Sequence, residues 1–282
     1  MDVRPAIFAK MGWYPEDREE CLTLIQKWSG NGIDVKATDV MRLGGIVPHA
    51  GWYFSGEIAC TVFRCLKPIQ PQLVIVFGKH LSVSSPRTIM VEGLWETPLG
   101  DIEIDTTLGS VLTKEFDFTI ETASRFEQDN TIELQLPFIK YFFPEAKLLP
   151  VGLPPTQESL SIASRCARLC HEMGITAIAV GSTDLTHYGP TYGFVPAGIG
   201  REATRWSINN DERVIEHMIS MEPSLVMEEA LANHNACCPG ACASAITVCK
   251  ELGAKTGEKL MYASSYDKSP GSSFVGYVGV IF

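Results

Sequence analysis

Three of the six histidines occupy positions where chemistry could converge. His49 follows the apolar run at residues 43–48 in Gly-Gly-Ile-Val-Pro-His-Ala-Gly-Trp. His80 follows residues 73–77 in Val-Ile-Val-Phe-Gly-Lys-His, and His187 follows residues 176–180 in Val-Gly-Ser-Thr-Asp-Leu-Thr-His-Tyr-Gly. Each imidazole lies beyond the carboxyl end of a buried-strand pattern, with glycine nearby to let backbone or ligand approach. In open α/β sheets that edge is where ligands bind. Imidazole is the commonest metal ligand and a general base, so three at corresponding positions point to a metal or proton-transfer site. His171 and His217 fall inside helical patterns and read as solvated or core side chains, while His234 could cap the carbonyls of a helix ending at Asn233.

The second chemical group is Cys237-Cys238-Pro-Gly-Ala-Cys242. It could supply a metal thiolate or a nucleophile, or be a tight turn of small residues. Iron–sulfur ligation is poorly matched, because no Cys-x-x-Cys pair accompanies it. Pro239 suits the first position of a helix. That places Cys238 at the N-cap, where the positive helix end favours a thiolate. Zinc-finger, His-Glu-x-x-His, EF-hand, P-loop and Gly-x-Gly-x-x-Gly spacings are all missing, so nucleotide binding has no support.

Positioning these residues requires a sheet. Apolar runs bounded by turn residues predict strands at 43–48, 73–77, 147–153, 176–180, 260–266 and 274–281. Apolar residues three and four apart predict helices at 15–29, 51–66, 131–143, 158–173, 201–221 and 241–252. The alternation predicts an α/β fold, one domain over 1–282, with a largely parallel central sheet between helices and an antiparallel pair at its C-terminal end. Asp129-Asn130-Thr131-Ile132-Glu133 reads as a helix start, with Asn130 as the cap and Glu133 closing a capping box.

Composition narrows the partners. The chain has 282 residues, 45% apolar and 20% charged, with 23 basic and 33 acidic residues for a net charge of −10. An acidic surface repels nucleic acid and anionic membranes, so neither is expected as a partner. No stretch approaches the roughly 18 apolar residues of a membrane helix, and the first residues lack a secretory pattern. Nine cysteines, an odd number without an export signal, predict reduced thiols in the cytoplasm. Cys60, Cys65, Cys166 and Cys170 lie in helical patterns and read as small buried hydrophobes.

Several segments together resemble the Memo family, which includes the mediator of ErbB2-driven cell motility and protein B of the AmmeMemoRadiSam system. They are Met11-Gly12-Trp13-Tyr14-Pro15, Ile46-Val47-Pro48-His49-Ala50-Gly51-Trp52-Tyr53, Gly78-Lys79-His80, Glu96-Thr97-Pro98-Leu99-Gly100, Ile132-Glu133-Leu134-Gln135-Leu136-Pro137, Ser182-Thr183-Asp184-Leu185-Thr186-His187-Tyr188-Gly189 and the cysteine turn. The resemblance implies a fold like that of class III extradiol dioxygenases, which use non-haem iron(II). It implies His49, His80 and Cys238 as metal ligands, for iron(II) first and zinc or copper(I) next. His187 is then the acid–base group, Asp184 its orienting carboxylate, and Trp13 an aromatic at the pocket mouth. Three ligands would leave positions for a small aromatic substrate and dioxygen, as in a facial triad.

Two departures from the family pattern stand out. The Gly78-Lys79-His80 turn is one residue shorter and brings the cation of Lys79 towards the site. Asn130 stands where a histidine is common. A binding or accessory role is the alternative, with the pocket histidines and Lys79 holding a small molecule or peptide beside a radical SAM enzyme or an AMMECR-type protein. Zinc-dependent hydrolysis is a third option.

Overall fold

The computed structural model describes residues 1–30 and 42–282. Its strands are β1 (Val3–Arg4), β2 (Gly44–Val47), β3 (Leu73–Gly78), β4 (Thr88–Met90), β5 (Leu94–Trp95) and β6 (Ile102–Glu103). They continue with β7 (Thr119–Glu121), β8 (Lys147–Gly152), β9 (Ala177–Ser182), β10 (His187–Tyr188), β11 (Glu258–Ser264) and β12 (Phe274–Ile281). A small sheet orders β1-β5-β6, and the main sheet orders β10-β12-β2-β9-β3-β8-β4-β7, with β11 on the free side of β12.

The centre of the main sheet is the parallel set β2, β9, β3 and β8. These strands are apolar and, past Lys147 at the start of β8, buried along their length, as a sheet covered on both faces requires. Within β3, Leu73, Ile75 and Phe77 join the core under helices Gln157–Met173 and Pro239–Glu251. Val74 and Val76 join the opposite core with helices Arg18–Gly30 and Trp52–Leu66. The two-residue alternation of a strand thus sorts one apolar run between two cores. β12 runs antiparallel to β2 and β11, giving the expected antiparallel edge at the chain's end. The result is one α/β domain with a mixed sheet.

Strand order sets the site. The chain leaves β2, forms helix Trp52–Leu66 and returns as β3, yet β9 lies between the two. Such a switch in order opens a crevice beyond the carboxyl ends of the strands. Register makes those ends level: Val47 pairs with Ser182, and Phe77 with Gly181. His49, His80 and Asp184 therefore emerge side by side.

The segment around residue 130 departs from expectation. Residues 131–143 form two helices, Asn130–Glu133 and Leu136–Phe142, because Pro137 is tolerated only in the first turn of a helix and starts a new one. The cap is Asp129, not Asn130: its extended backbone lets the carboxylate accept the Thr131 N–H at 2.9 Å. Glu133 closes no capping box. Its buried carboxylate accepts the Phe8 N–H at 2.6 Å and the Tyr14 hydroxyl at 3.2 Å, tying the N-terminal segment to the core. Among the described residues no helix is long and apolar enough to cross a membrane.

Candidate metal centre

His49 is buried just past β2, and hydrogen bonds define which ring nitrogen carries hydrogen. Ser182 Oγ donates to the Thr131 carbonyl at 2.7 Å, so its lone pairs are left to accept from His49 Nδ1 at 3.1 Å and Gln135 Nε2 at 3.4 Å. With Nδ1 as donor, His49 directs Nε2 at the Cys237 sulfur, 3.3 Å away. His80 repeats the device: its Nδ1 meets Asp129 at 2.9 Å, and its backbone N–H donates to the same carboxylate at 3.2 Å. The two rings meet edge to face with centroids 4.9 Å apart.

Cys237 comes from the turn before helix Pro239–Glu251. Its N–H donates to the Asp184 carbonyl at 3.0 Å, and its sulfur accepts the Asp184 N–H at 3.3 Å, which clips the turn to the end of β9. The following helix start in turn packs against the chain after β8 through Gly240, where a Cβ would collide with the Leu153 carbonyl. Cys238 takes the N-cap, and its N–H donates to Thr183 Oγ1 at 3.0 Å. Its sulfur lies 3.7 Å from that of Cys237. One donor atom from each of His49, His80, Cys237 and Cys238 lies within 4.8 Å of the others. The structure thus brings together the three expected donors and adds Cys237.

The electrostatics single out Cys237. Burial raises its thiol, but the Cys238 S–H and the two imidazoles outweigh burial and hold it well below the usual range. Burial and the Cys237 sulfur push Cys238 well above it, so the N-cap position does not make Cys238 the thiolate. Burial disfavours the charged imidazole of His80, yet Asp129 and Cys237 prevail and raise it to about 10. His49 is also raised, with Asp184 and Cys237 overcoming burial. A metal ion binding these donors would displace the protons they carry. Two imidazoles and a thiolate, each oriented by a second partner, make a soft-to-borderline donor set suited to iron, zinc or copper.

The other expected residues are placed as follows. Asp184 Oδ1 accepts the His49 N–H at 2.7 Å and Oδ2 lies 4.0 Å from His49 Nε2; it serves His49 rather than fixing the tautomer of His187. His187 Nδ1 instead donates to the Leu185 carbonyl at 3.0 Å, which leaves Nε2 as an acceptor. Both residues line a cleft of about 1250 Å³ together with His49, His80, Asn130 and Trp13. Trp13 packs edge-on against Phe8, and its carbonyl accepts the Trp52 N–H at 2.8 Å, so it builds the wall as well as lining it. Asn130 donates to the His49 carbonyl at 2.8 Å. Lys79 does not join them. Its backbone is left-handed (φ 73°), and its buried ammonium turns away to Glu121, which also binds Arg4 at 2.8 Å.

Sequence reading passed over Asp129 and the pair Asn210–Asp211. Asp211 accepts the Thr186 N–H at 2.9 Å and the Tyr262 hydroxyl at 2.7 Å, and burial lifts its carboxyl to about 6. Asn210 donates to Thr186 Oγ1 and to the Asn233 carbonyl, each at 3.0 Å, and its own carbonyl accepts from Asn235 at 2.7 Å. One helix, Arg201–Ile219, therefore pins both the loop carrying His187 and the turn carrying Cys237. The only local signal was polar residues inside an amphipathic helix. For Asp129 we expect Asp129→Asn to weaken metal binding by about 10- to 100-fold, the usual effect of losing a ligand's outer partner. A competition titration against a chromogenic chelator measures it, and an unchanged affinity would remove Asp129 from the centre.

A family model described as Memo-like protein matches residues 4–281. The chain belongs to the Memo-like family. Among its relatives, a MEMO1 family protein of Thermococcus kodakarensis is 29% identical over 281 residues, covering 96% of each chain. One from Pyrococcus furiosus is 28% identical over 290 residues, covering 99% of this chain and 98% of the relative. One from Methanopyrus kandleri is 29% identical over 296 residues. A crystal structure of an uncharacterised protein from Escherichia coli K12 superposes with a TM-score of 0.47 at 11% identity, covering 78% of this chain and 92% of that one. Both ends of the Memo-like match enclose every residue of the cluster.

Proposed function

We propose that this Memo-like protein is a non-haem iron(II) protein that oxidises a small, aromatic substrate with dioxygen. The observation that carries the reading is the convergence of two Nδ1-anchored imidazoles, which line a cleft of about 1250 Å³, on the depressed thiol of Cys237 behind them. His49, His80 and Cys237 would hold the ion, with the Cys238 S–H supporting the Cys237 sulfur; zinc or copper(I) would satisfy the same donors. Iron(II) bound there supplies one-electron and oxygen chemistry.

The protein's own part is binding and proton transfer. Trp13, Tyr53 and Phe54 present aromatic walls to a ring. His187, with its Nδ1–H committed to Leu185, offers Nε2 to take a proton from a substrate hydroxyl and return it later. Asp184 keeps His49 in place. Nine free thiols support a reducing, cytoplasmic setting. A second reading, ligand or peptide capture without turnover, draws on the cleft's size, since small-molecule sites usually span roughly 300–1,000 Å³.

The test is oxygen uptake by anaerobically iron-loaded protein across catechols and aminophenols, beside His187→Ala. We expect uptake with at least one substrate, lowered by about 10²- to 10⁴-fold in the variant, as for loss of a general acid–base. Full iron loading without uptake on any substrate would overturn the oxidase reading in favour of capture.

A further inference from the structure

The cluster has a second side. His49, His80 and Asp184 line the wide cleft, whereas Cys237 lines a separate cavity of about 540 Å³; His187 and Tyr192 line both. The partition is the short segment from Gly189 to Phe194. It closes on itself through Gly189 N–H to the Phe194 carbonyl at 2.7 Å and Tyr192 N–H to the Gly189 carbonyl at 3.0 Å. Tyr192 stands edge-on to His187 at 5.0 Å between centroids, so one aromatic–imidazole pair forms the shared wall. Across the small cavity, His234 is held left-handed (φ 52°) with its ring against Phe194 at 5.5 Å.

The chemistry of the small cavity differs from that of the cleft. Leu81, Pro155, Leu185, Phe194, Leu231 and Pro239 wall it, and no Asp, Glu, Lys or Arg lines it among the described residues. An ion entering would meet no carboxylate, ammonium or guanidinium to replace its water, only the rings of His187 and His234 and the Cys237 sulfur, while a neutral molecule meets the apolar walls at no such cost. The cleft, by contrast, carries Glu16, Glu20, Lys27, Asp184 and two raised imidazoles.

We propose that the second cavity is a binding site for a small uncharged molecule, which reaches Cys237 and His187 there while the cleft remains open to a larger ligand. The assignment concerns access and applies equally to the metal-free chain, so it stands or falls apart from the iron reading.

Carboxamidomethylation provides the probe: the Cys237 sulfur forms a bond to the methylene carbon of iodoacetamide, and iodide leaves. On metal-free protein, peptide mapping by mass spectrometry gives the rate at Cys237 alone. Leu231→Trp narrows the small cavity and Met11→Trp the cleft; both residues are exposed, which keeps the fold intact. Leu231→Trp should slow the reaction by about tenfold, since thiol modification follows access as well as thiolate character, and Met11→Trp by less than about twofold. In the unsubstituted protein iodoacetamide should outpace anionic iodoacetate, each rate taken relative to the unfolded chain. Slowing by Met11→Trp instead, equal rates in the two variants, or a preference for iodoacetate would overturn the proposal, because each means that the small cavity is not an uncharged route controlling access to the sulfur. The reagent comparison needs no variant and decides the matter even if Leu231→Trp fails to fold.

Discussion

Cys237→Ala should abolish stoichiometric metal binding, whereas Cys238→Ala should weaken it by about tenfold, the lower end of what an outer partner contributes. The two thiols are neighbours in sequence and differ in aim. Cys237 faces His49 Nε2 at 3.3 Å and is the thiol held below its usual range. Cys238 meets the cluster through Cys237 at 3.7 Å and is pushed above its usual range. A metal needs the thiolate, and forming it at Cys238 means ionising a second buried sulfur beside the first. Removing Cys238 takes away only the S–H that stabilises Cys237. Elemental analysis of anaerobically purified protein, with competition titrations for affinity, reads both variants. The reverse order would make Cys238 the ligand and Cys237 its support. No metal in the unsubstituted protein after loading with iron, zinc and copper(I) would remove the metal reading altogether.

The largest effect on stability is expected at a residue outside the cleft. Glu121→Ala should cost about 3–5 kcal/mol, the range for breaking a buried ion pair from one side. Glu121 sits at the end of β7 between Arg4 and Lys79, and all three are buried. Its carboxylate also accepts the Glu127 N–H at 2.9 Å, and Arg4 stacks over Trp95 at 3.7 Å. Deleting it strands two buried cations. For a chain of this size that loss corresponds to a fall in melting temperature of order 10 °C. A fall of under about 1 kcal/mol would mean that water reaches the cations and the pair is not closed off.

The same group gives a pH dependence with a definite sign. Burial alone would raise Glu121, but Lys79, Glu127 and Arg4 leave it below its ordinary 4.5. A carboxyl lowered by folding contributes stability that is fully present above its unfolded value. That contribution is lost as pH falls through the lower, folded value. Acid unfolding should therefore begin earlier in the unsubstituted protein than its neutral-pH stability suggests, and this acid-side slope should diminish in Glu121→Ala. Because Lys79 directly precedes His80, the variant should also bind metal more weakly.

Much of the architecture was legible in the sequence because it is locally encoded. Strands β2, β3, β8, β9 and β12 are short, largely apolar runs of small and branched residues, and such runs between turns have few other ways to be buried. The two-residue strands β1, β5, β6 and β10 escaped, since so short a stretch has no periodicity to read. The break in residues 131–143 was available in principle from Pro137.

The α/β alternation, the Memo-like family and the placing of His49 and His80 beyond strand ends were readable from the sequence, whereas His187 opens the short strand β10. Tertiary structure alone decided how the side chains pair. Asp129 reaches His80 across 49 residues, Asp184 serves His49 rather than His187, and the ammonium of Lys79 leaves the site for Glu121. It also decided which of two adjacent sulfurs meets the imidazoles, because Cys238 spends its backbone on the helix cap and on Thr183 while Cys237 is clipped to Asp184. The physical reason is range: hydrophobic period and turn chemistry act over a few residues, whereas the aim of a side chain depends on strand order and register set by packing across the whole sheet.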